Sequence, residues 1–398
     1  MKFIGYAFFF FFLLLTNCSN PEVEYQKLRK EKLKRKNQLK ALSRVSALPV
    51  TIKTPGDNLG SPSKIALGKL LFFDPILSGD KDVSCATCHH PDNGYAEFRD
   101  LSIGVNGQGF GSKRVFKHPN DIPFVKRNAH TILNTAFNGI DIFNRYDPKE
   151  APMFWDSRVK SLEKQALEPI KTLEEMKGRQ YDEGEILDEI INRLKAIPEY
   201  SQLFEAAFGK NNSINSNNLA KAIAAFERSL VTNNSRFDQY MRGDDNAISL
   251  SEKDGFELFK KAGCANCHNG PMFSDYTMHV LGVPENEKLT EPDSGIAGKY
   301  AFRTPTLRNL RFTAPYMHNG SLTTLKSVLE FYEDISFRKI RNPAVSSDQY
   351  DPLVRELRLK VKDMAPIISF LNTLNDSGYD KEIPESVPSG LTVGGDIL

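Results

Sequence analysis

Two short stretches decide the fold of this chain: CATCH at residues 85–89 and CANCH at residues 264–268. Both have the Cys-x-x-Cys-His spacing of a haem c attachment site, in which two thiols bind the haem vinyl groups and the histidine binds the iron. The sequence therefore predicts two covalently bound haem c groups. Their binding residues are Cys85, Cys88 and His89 for the first, and Cys264, Cys267 and His268 for the second.

The alternative for these cysteines is one structural zinc site with four cysteine ligands. The two motifs lie 179 residues apart in a chain with only five cysteines, so their identical spacing is hard to ascribe to chance. A zinc site would also leave both histidines without a role. Only Cys18 remains outside the motifs, so disulfides say nothing about the compartment.

The N-terminus predicts export. An apolar run from Phe3 to Leu15 has the length of a signal-peptide core and is too short to span a membrane. It ends in LTNC at residues 15–18, which resembles a bacterial lipobox with Cys18 as the lipidated residue, although Asn17 stands where a small residue is usual. We expect a signal peptide over 1–18 and a periplasmic protein anchored by lipid, with a simple cleaved signal as the alternative.

Charge is distributed unevenly. Residues 1–44 carry 10 of the 52 Lys/Arg and 3 of the 50 Asp/Glu, so the remaining chain has 42 basic and 47 acidic residues, a net charge of −5. The basic run lies in a predicted tether over 19–59, where it would favour an anionic membrane surface or simply remain solvated. Because it lacks interleaved aromatic residues, we expect no nucleic-acid partner.

The pattern of apolar residues predicts a mainly α fold. Similar helical stretches precede the two motifs, at 65–72 and 254–259, and further helices are expected at 185–197, 218–230, 323–332 and 352–374, with Asn218 and Thr323 as N-caps. Strand patterns are scarce and the loops are long. We expect two tandem cytochrome c-like haem domains, at 60–235 and 236–375, and a loose tail over 376–398.

Several strings, together with the two haem motifs, resemble the bacterial dihaem cytochrome c peroxidases and their relative MauG. In chain order they are LFFDP (71–75), FWDSR (154–158), EPI (168–170), EM (175–176), TPTLRN (304–309) and APYMHNG (314–320). The resemblance covers residues 60–375. It implies an oxidoreductase that reduces hydrogen peroxide with electrons from a small cytochrome c or a cupredoxin. It also implies a homodimer.

The resemblance also implies site residues. Glu175 matches the distal glutamate, a carboxylate suited to moving a proton between the two oxygens of peroxide. Gln165 and Pro169 match its neighbours in the pocket. Trp155, the single tryptophan, matches the aromatic residue between the two haems, where it would assist electron transfer.

A calcium site follows from the same resemblance. Asn128, Thr313 and Pro315 match positions that hold calcium between the domains, largely through carbonyl oxygens and water. Oxygen ligands of this kind suit calcium.

Val105 is the first departure from the peroxidase pattern. It occupies the position of the histidine that caps the first iron in the resting state of reductively activated peroxidases. Valine cannot bind iron. His118 and His130, which are close in sequence, could substitute for the capping histidine, but neither matches the pattern. The first haem is therefore expected to be open, so that the enzyme acts without prior reduction.

Tyr332 is the second departure. It stands where typical peroxidases have the methionine ligand of the second iron, and MauG has tyrosine at this position. An anionic tyrosinate stabilises ferric and higher states, whereas methionine raises the potential. We expect Tyr332 as the sixth ligand of the second iron, followed by Met317, with Met278 and His279 as further competitors.

Three functions fit these residues. The first is a dihaem cytochrome c peroxidase that reduces hydrogen peroxide to water. The second is a MauG-like oxidase acting on a protein or organic substrate through high-valent iron, which Tyr332 favours. The third is a non-catalytic dihaem electron carrier, against which Glu175 and the missing cap argue.

Overall fold

The computed structural model describes residues 21–42, 44–117 and 121–395. The chain divides into two compact units, residues 1–42 and 43–398. In the first unit the structure describes one basic helix, whose side chains at 24–34 are exposed. The predicted signal peptide, Cys18 and His118 lie outside the described residues. No described helix is both long and apolar enough to cross a membrane.

The fold is mainly α, as predicted. The helices are α1 Pro21–Leu42, α2 Pro62–Phe73, α3 Cys85–Cys88, α4 Leu162–Gln165, α5 Glu168–Lys171, α6 Ile186–Lys195, α7 Pro198–Phe208, α8 Ser216–Ser229, α9 Arg236–Met241, α10 Leu250–Lys261, α11 Leu325–Ser336 and α12 Val361–Asn372. Six short strands form three antiparallel pairs: β1 Gly107–Gln108 with β2 Val115–Phe116, β3 Pro152–Met153 with β4 Val159–Lys160, and β5 Met278–Val280 with β6 Ala301–Arg303.

The two helices that precede the haem motifs pack in the same way. Helix α2 crosses α8 at Gly68, where an added Cβ would lie 2.0 Å from the carbonyl oxygen of Ala222. Helix α10 crosses α12 at Gly255, where a Cβ would lie 2.0 Å from the carbonyl oxygen of Pro366. Only glycine permits so close an approach of two helix backbones. In both halves of the chain the haem motif thus follows the first helix of a packed pair.

A buried ion pair ties the segment after α8 to the second half of the chain. Arg308 donates two hydrogen bonds of 2.9 Å to Asp238 at the start of α9, and both side chains are inaccessible to solvent. Asp238 also accepts from the main-chain N–H of Leu48. The segment around 233–245, which includes the predicted domain boundary, thus contains a helix that is anchored in the core. The domain limits themselves stay a prediction.

Several local expectations need correction. The N-cap of α8 is Asn215, three residues before Asn218, and α11 is capped by Thr324, not by Thr323. The helix expected over 352–374 is a short 3₁₀ turn at Pro352–Glu356 followed by α12. In α8 and in α11 the capping side chain accepts a hydrogen bond from the main-chain N–H three residues later, which fixes the first turn of the helix.

The expected loose tail is wrong for the described residues 376–395. This segment packs along the first half of the chain: the Tyr95 hydroxyl donates to Asp380 O, the Thr87 hydroxyl to Gly394 O, and Val387 is buried. The predicted tether also ends early, because Val45 and Leu48 are buried in the folded body. Long-range contacts of this kind leave no periodic pattern in the sequence.

Candidate functional site

Each haem motif opens onto its own cavity. The first cavity, with about 1710 Å³ of atom-free space including its open mouth, is lined by Cys85, Cys88 and His89. The second, with about 1840 Å³, is lined by Cys264, Cys267 and His268. The structure therefore assigns the two cysteine pairs to separate cavities. No cluster of four cysteines exists among the described residues, which removes the single-zinc alternative.

Both motif histidines are oriented by a main-chain carbonyl. The Nδ1 atom of His89 lies 3.0 Å from Tyr95 O, and that of His268 lies 3.0 Å from Phe273 O. Burial lowers the pKa of both imidazoles, so the neutral form prevails. A neutral ring that donates through Nδ1 leaves Nε2 free for a metal, which is the usual arrangement of a histidine ligand. These donors fit haem iron.

The motif cysteines form no disulfide within the described chain. Burial raises the pKa of the Cys85 and Cys264 thiols to about 12, so both are held as neutral thiols beside the cavities. Apolar surface predominates in both cavities, which suits the porphyrin of haem. Haem c, bound through these cysteines and histidines, therefore fits both sites.

Glu175 lines the first cavity together with Gln165 and Pro169, as the sequence predicts. It lies on a single π-helical turn, Leu173–Lys177, a rare geometry that often occurs at functional sites. Burial raises the pKa of Glu175 to about 7, while the positive charge of Arg158 acts in the opposite direction. The carboxyl group can therefore both take up and release a proton near neutral pH.

Val105 does not line the first cavity. It is buried in an apolar cluster with Met176, in a loop that packs against the π-helical turn. This packing is close, because a Cβ on Gly104 would lie 1.9 Å from Glu174 O. Position 105 is therefore a core position in this arrangement.

Trp155 lies between the two cavities and lines both. Its indole Nε1 donates to Asn128 O at 3.0 Å, and its carbonyl accepts from the Arg303 main-chain N–H at 2.7 Å. The preceding residue, Phe154, has a φ of 63°, which is rare for an aromatic residue. Its carbonyl accepts from the Arg303 side chain. Asn128 thus orients the indole, and Arg303 anchors the main chain of Trp155 to the second half of the chain.

The residues that line the second cavity include some, but not all, of the predicted sixth ligands of the second iron. Tyr332 on α11 and Met317 line it, whereas Met278 does not. His279 lines it too, but its ring nitrogens contact Asp351, Asp275 and Thr277 at 2.8 to 3.0 Å. The Tyr332 hydroxyl has no hydrogen-bond partner in the described chain, and burial raises its pKa. The donors with no competing partner are therefore Tyr332 and Met317.

The three predicted calcium residues, Asn128, Thr313 and Pro315, all line the second cavity. The Asn128 amide nitrogen donates to the carbonyls of Arg99 and Asp100, which orients its side chain. The oxygens that these residues offer are neutral, and calcium accepts such ligands.

The sequence analysis did not identify two buried ionisable residues of the site. Glu227 on α8 lines the first cavity with one carboxylate oxygen unpaired, and burial raises its pKa to about 8. Arg303 lines both cavities, and burial lowers its pKa to about 10. An arginine in this place suits the propionates of haem. No local signal marks either residue, since Glu227 follows an ordinary helical pattern.

The comparisons with known proteins agree with this geometry. A family model described as di-haem cytochrome c peroxidase matches residues 62–246. The methylamine utilization protein MauG of Methylorubrum extorquens is 35% identical over 331 residues, which are 82% of each chain. The cytochrome c551 peroxidase of Nitrosomonas europaea is 31% identical over 330 residues, 81% of this chain and 83% of that one.

The fold is also similar to that of solved structures. A MauG-like protein associated with microbial copper homeostasis superimposes with a TM-score of 0.66 at 27% identity, over 83% of this chain and 95% of that one. Relatives named as cytochrome c peroxidases make this chain an oxidoreductase of the peroxidase type. The chain belongs to the family of di-haem cytochrome c peroxidases and MauG.

Proposed function

We propose that this protein reduces hydrogen peroxide to water at the first cavity, with electrons from a small redox protein that enter at the second. The observation that carries the proposal is the Glu175 carboxyl, which lines the cavity of His89 and has a pKa of about 7. A general acid–base group is most effective when its pKa lies near the working pH.

The reaction consumes hydrogen peroxide, two electrons and two protons and yields two water molecules. Haem iron at His89, when bound, supplies electrons to the O–O bond. Glu175 accepts the proton of one peroxide oxygen at its carboxylate and returns it to the other oxygen, which then leaves as water. Gln165, in the same cavity, is suited to hydrogen-bond peroxide through its side-chain amide, and Pro169 contributes to the cavity wall.

Trp155 would connect the two sites. It lines both cavities, its indole donates to Asn128 O, and its main-chain carbonyl accepts from the Arg303 N–H. A fixed aromatic ring between two redox centres shortens each electron-transfer step without any change in its own bonds. The proposed electron path therefore runs from a small cytochrome c or cupredoxin, through the second cavity, past Trp155, to the first.

A MauG-like oxidation of a protein or organic substrate is the second candidate. Tyr332 favours it, because its hydroxyl is unpartnered and faces the second cavity. As a tyrosinate ligand it would stabilise oxidised iron. The position of Val105 outside the cavity supports an open first site in either case.

Further parts of the proposal rest on single features. The neutral oxygens of Asn128, Thr313 and Pro315 would bind Ca²⁺. The basic helix α1 would lie near an anionic membrane surface, and the apolar run at residues 3–15 and Cys18 would direct the protein to the periplasm with a lipid anchor. A homodimer follows from the family resemblance alone.

The decisive experiment mixes the as-isolated, all-ferric protein with hydrogen peroxide and a reduced small c-type cytochrome and follows cytochrome oxidation. Rapid turnover without prior reduction would support the open peroxidase. A lasting oxidised species without turnover would favour the MauG-like reaction. No reaction, with both irons six-coordinate in optical spectra, would overturn both and favour the electron carrier.

A further inference from the structure

His130 stands out because the proposed reaction gives it no role although it lies at the centre of the molecule. It lines both cavities, as do Trp155 and Arg303. Its ring is stacked on the Trp155 indole with a centroid distance of 4.1 Å and an interplanar angle of 24°. Its Nε2 atom is buried and has no hydrogen-bond partner among the described residues.

The two rings adopt a stacked arrangement, one of the geometries that aromatic pairs prefer. The Thr131 hydroxyl donates to Gly94 O, which anchors the segment that carries His130 to the loop after the first motif. Trp155 is fixed independently through Asn128 and Arg303. The two rings are therefore held together by elements from both halves of the chain.

We propose that His130 is a positioning residue for electron transfer: its ring, stacked on Trp155, fixes the indole between the two haem sites and extends its π surface. The electron passes from the second site to the first through the overlapped rings, and neither ring is itself oxidised. No atom is transferred, and the indole N–H stays bonded to Asn128 O. This inference rests on the proposed function and names a further residue of its electron path.

A second imidazole provides a comparison within the same structure. His318 is stacked on Phe302 at 3.6 Å and meets Trp155 only by its edge, at 6.4 Å and 75°. His318 lines the second cavity but not the first. Parallel contact with the indole thus distinguishes His130 from the other buried histidine near Trp155.

The test measures the rate at which an electron placed on the second haem reaches the first, read from the optical spectra of both haems in the absence of peroxide. We expect His130→Ala to lower this rate, because the indole loses the ring that fixes it, and His130→Phe, which keeps a stacked ring, to stay close to the parent rate. His130→Gln, which fills similar volume without a ring, should be as slow as the alanine variant.

His90→Phe is the matched control. His90 is also buried and contacts an aromatic ring, that of Phe110, but it lines neither cavity. Haem content and melting temperature are recorded for every variant. An unchanged rate in His130→Ala and His130→Gln would overturn the proposal, as would a phenylalanine variant as slow as alanine. Because no peroxide is present, absence of peroxidase turnover would overturn the proposed function and leave this test intact.

Discussion

Replacing Glu175 by glutamine tests the proposed acid–base group, because the change keeps the shape of the side chain and removes its proton exchange. General acid–base groups contribute about 10²- to 10⁴-fold to rate, so we expect kcat/KM for peroxide to fall by that factor. With a pKa of about 7, the parent enzyme should also lose roughly tenfold in rate per pH unit below about pH 7, as the carboxylate becomes protonated. The glutamine variant should lose this acid limb.

Glu175→Gln should lower activity, but it should raise the free energy of unfolding at high pH. Burial raises the pKa of Glu175 from 4.5 to about 7, so between these values the folded state binds more protons than the unfolded state. The free energy of unfolding therefore falls as pH rises from about 4.5 to 7, and the full cost, at most about 3 kcal/mol, is present above pH 7. Glutamine has no such cost, so the variant should gain stability over the parent at pH 8 but not at pH 4.5.

The assays are stopped-flow peroxide turnover from pH 5 to 9 and denaturant unfolding of the holoprotein at pH 4.5 and 8. Glu174→Gln is the matched control, because it removes a charge from the same π-helical turn. The negative charge of Glu174 raises the pKa of Glu175. Glu174→Gln should therefore keep its peroxide turnover, and the acid limb of its pH profile should move to lower pH. A Glu175→Gln enzyme with kcat/KM within threefold of the parent would refute the assignment.

Three further predictions follow from the packing. Tyr332→Phe should alter the optical and electron paramagnetic resonance spectra of the second haem, whereas Met317→Leu should leave them unchanged; the reverse result would assign the ligand to Met317. Val105→His should lower the free energy of unfolding by about 1–3 kcal/mol, because it buries an unpartnered imidazole, and should leave peroxide turnover unchanged; slowed turnover of the ferric enzyme would show that the residue reaches the iron. Asp238→Ala should cost about 3–5 kcal/mol in denaturant unfolding, because it leaves the Arg308 guanidinium buried without its partner; a loss below 1 kcal/mol would contradict that estimate.

Local chemistry made part of the site predictable from sequence. The haem motifs are contiguous, since their spacing follows from the covalent chemistry of a single group, and the helices before them have clear apolar periodicity. Glu175, Gln165, Pro169 and Trp155 became candidates only through resemblance, and the structure brings all four to the cavity of the first motif. Their roles there remain proposals.

Long-range packing could not be predicted from local motifs in the sequence. Whether residue 105 faces the iron or the core depends on how its loop meets the π-helical turn, and a π turn has no sequence signature. The pairing of His279 with Asp275 and Asp351 removes a competing ligand, although Asp351 lies 72 residues away. The His130–Trp155 stack likewise joins residues from separate loops.

The sequence by itself determined the two haem attachments, the mainly α class and the family, because these depend on contiguous motifs and on the helical period. Tertiary structure alone decided which side chains share a cavity, which ligands remain free of other partners, and which carboxyl groups are buried enough to titrate near neutral pH. The physical reason is that desolvation and stacking depend on distance in space, and the chain brings Glu175, His130 and Trp155 to the haem sites only when it folds.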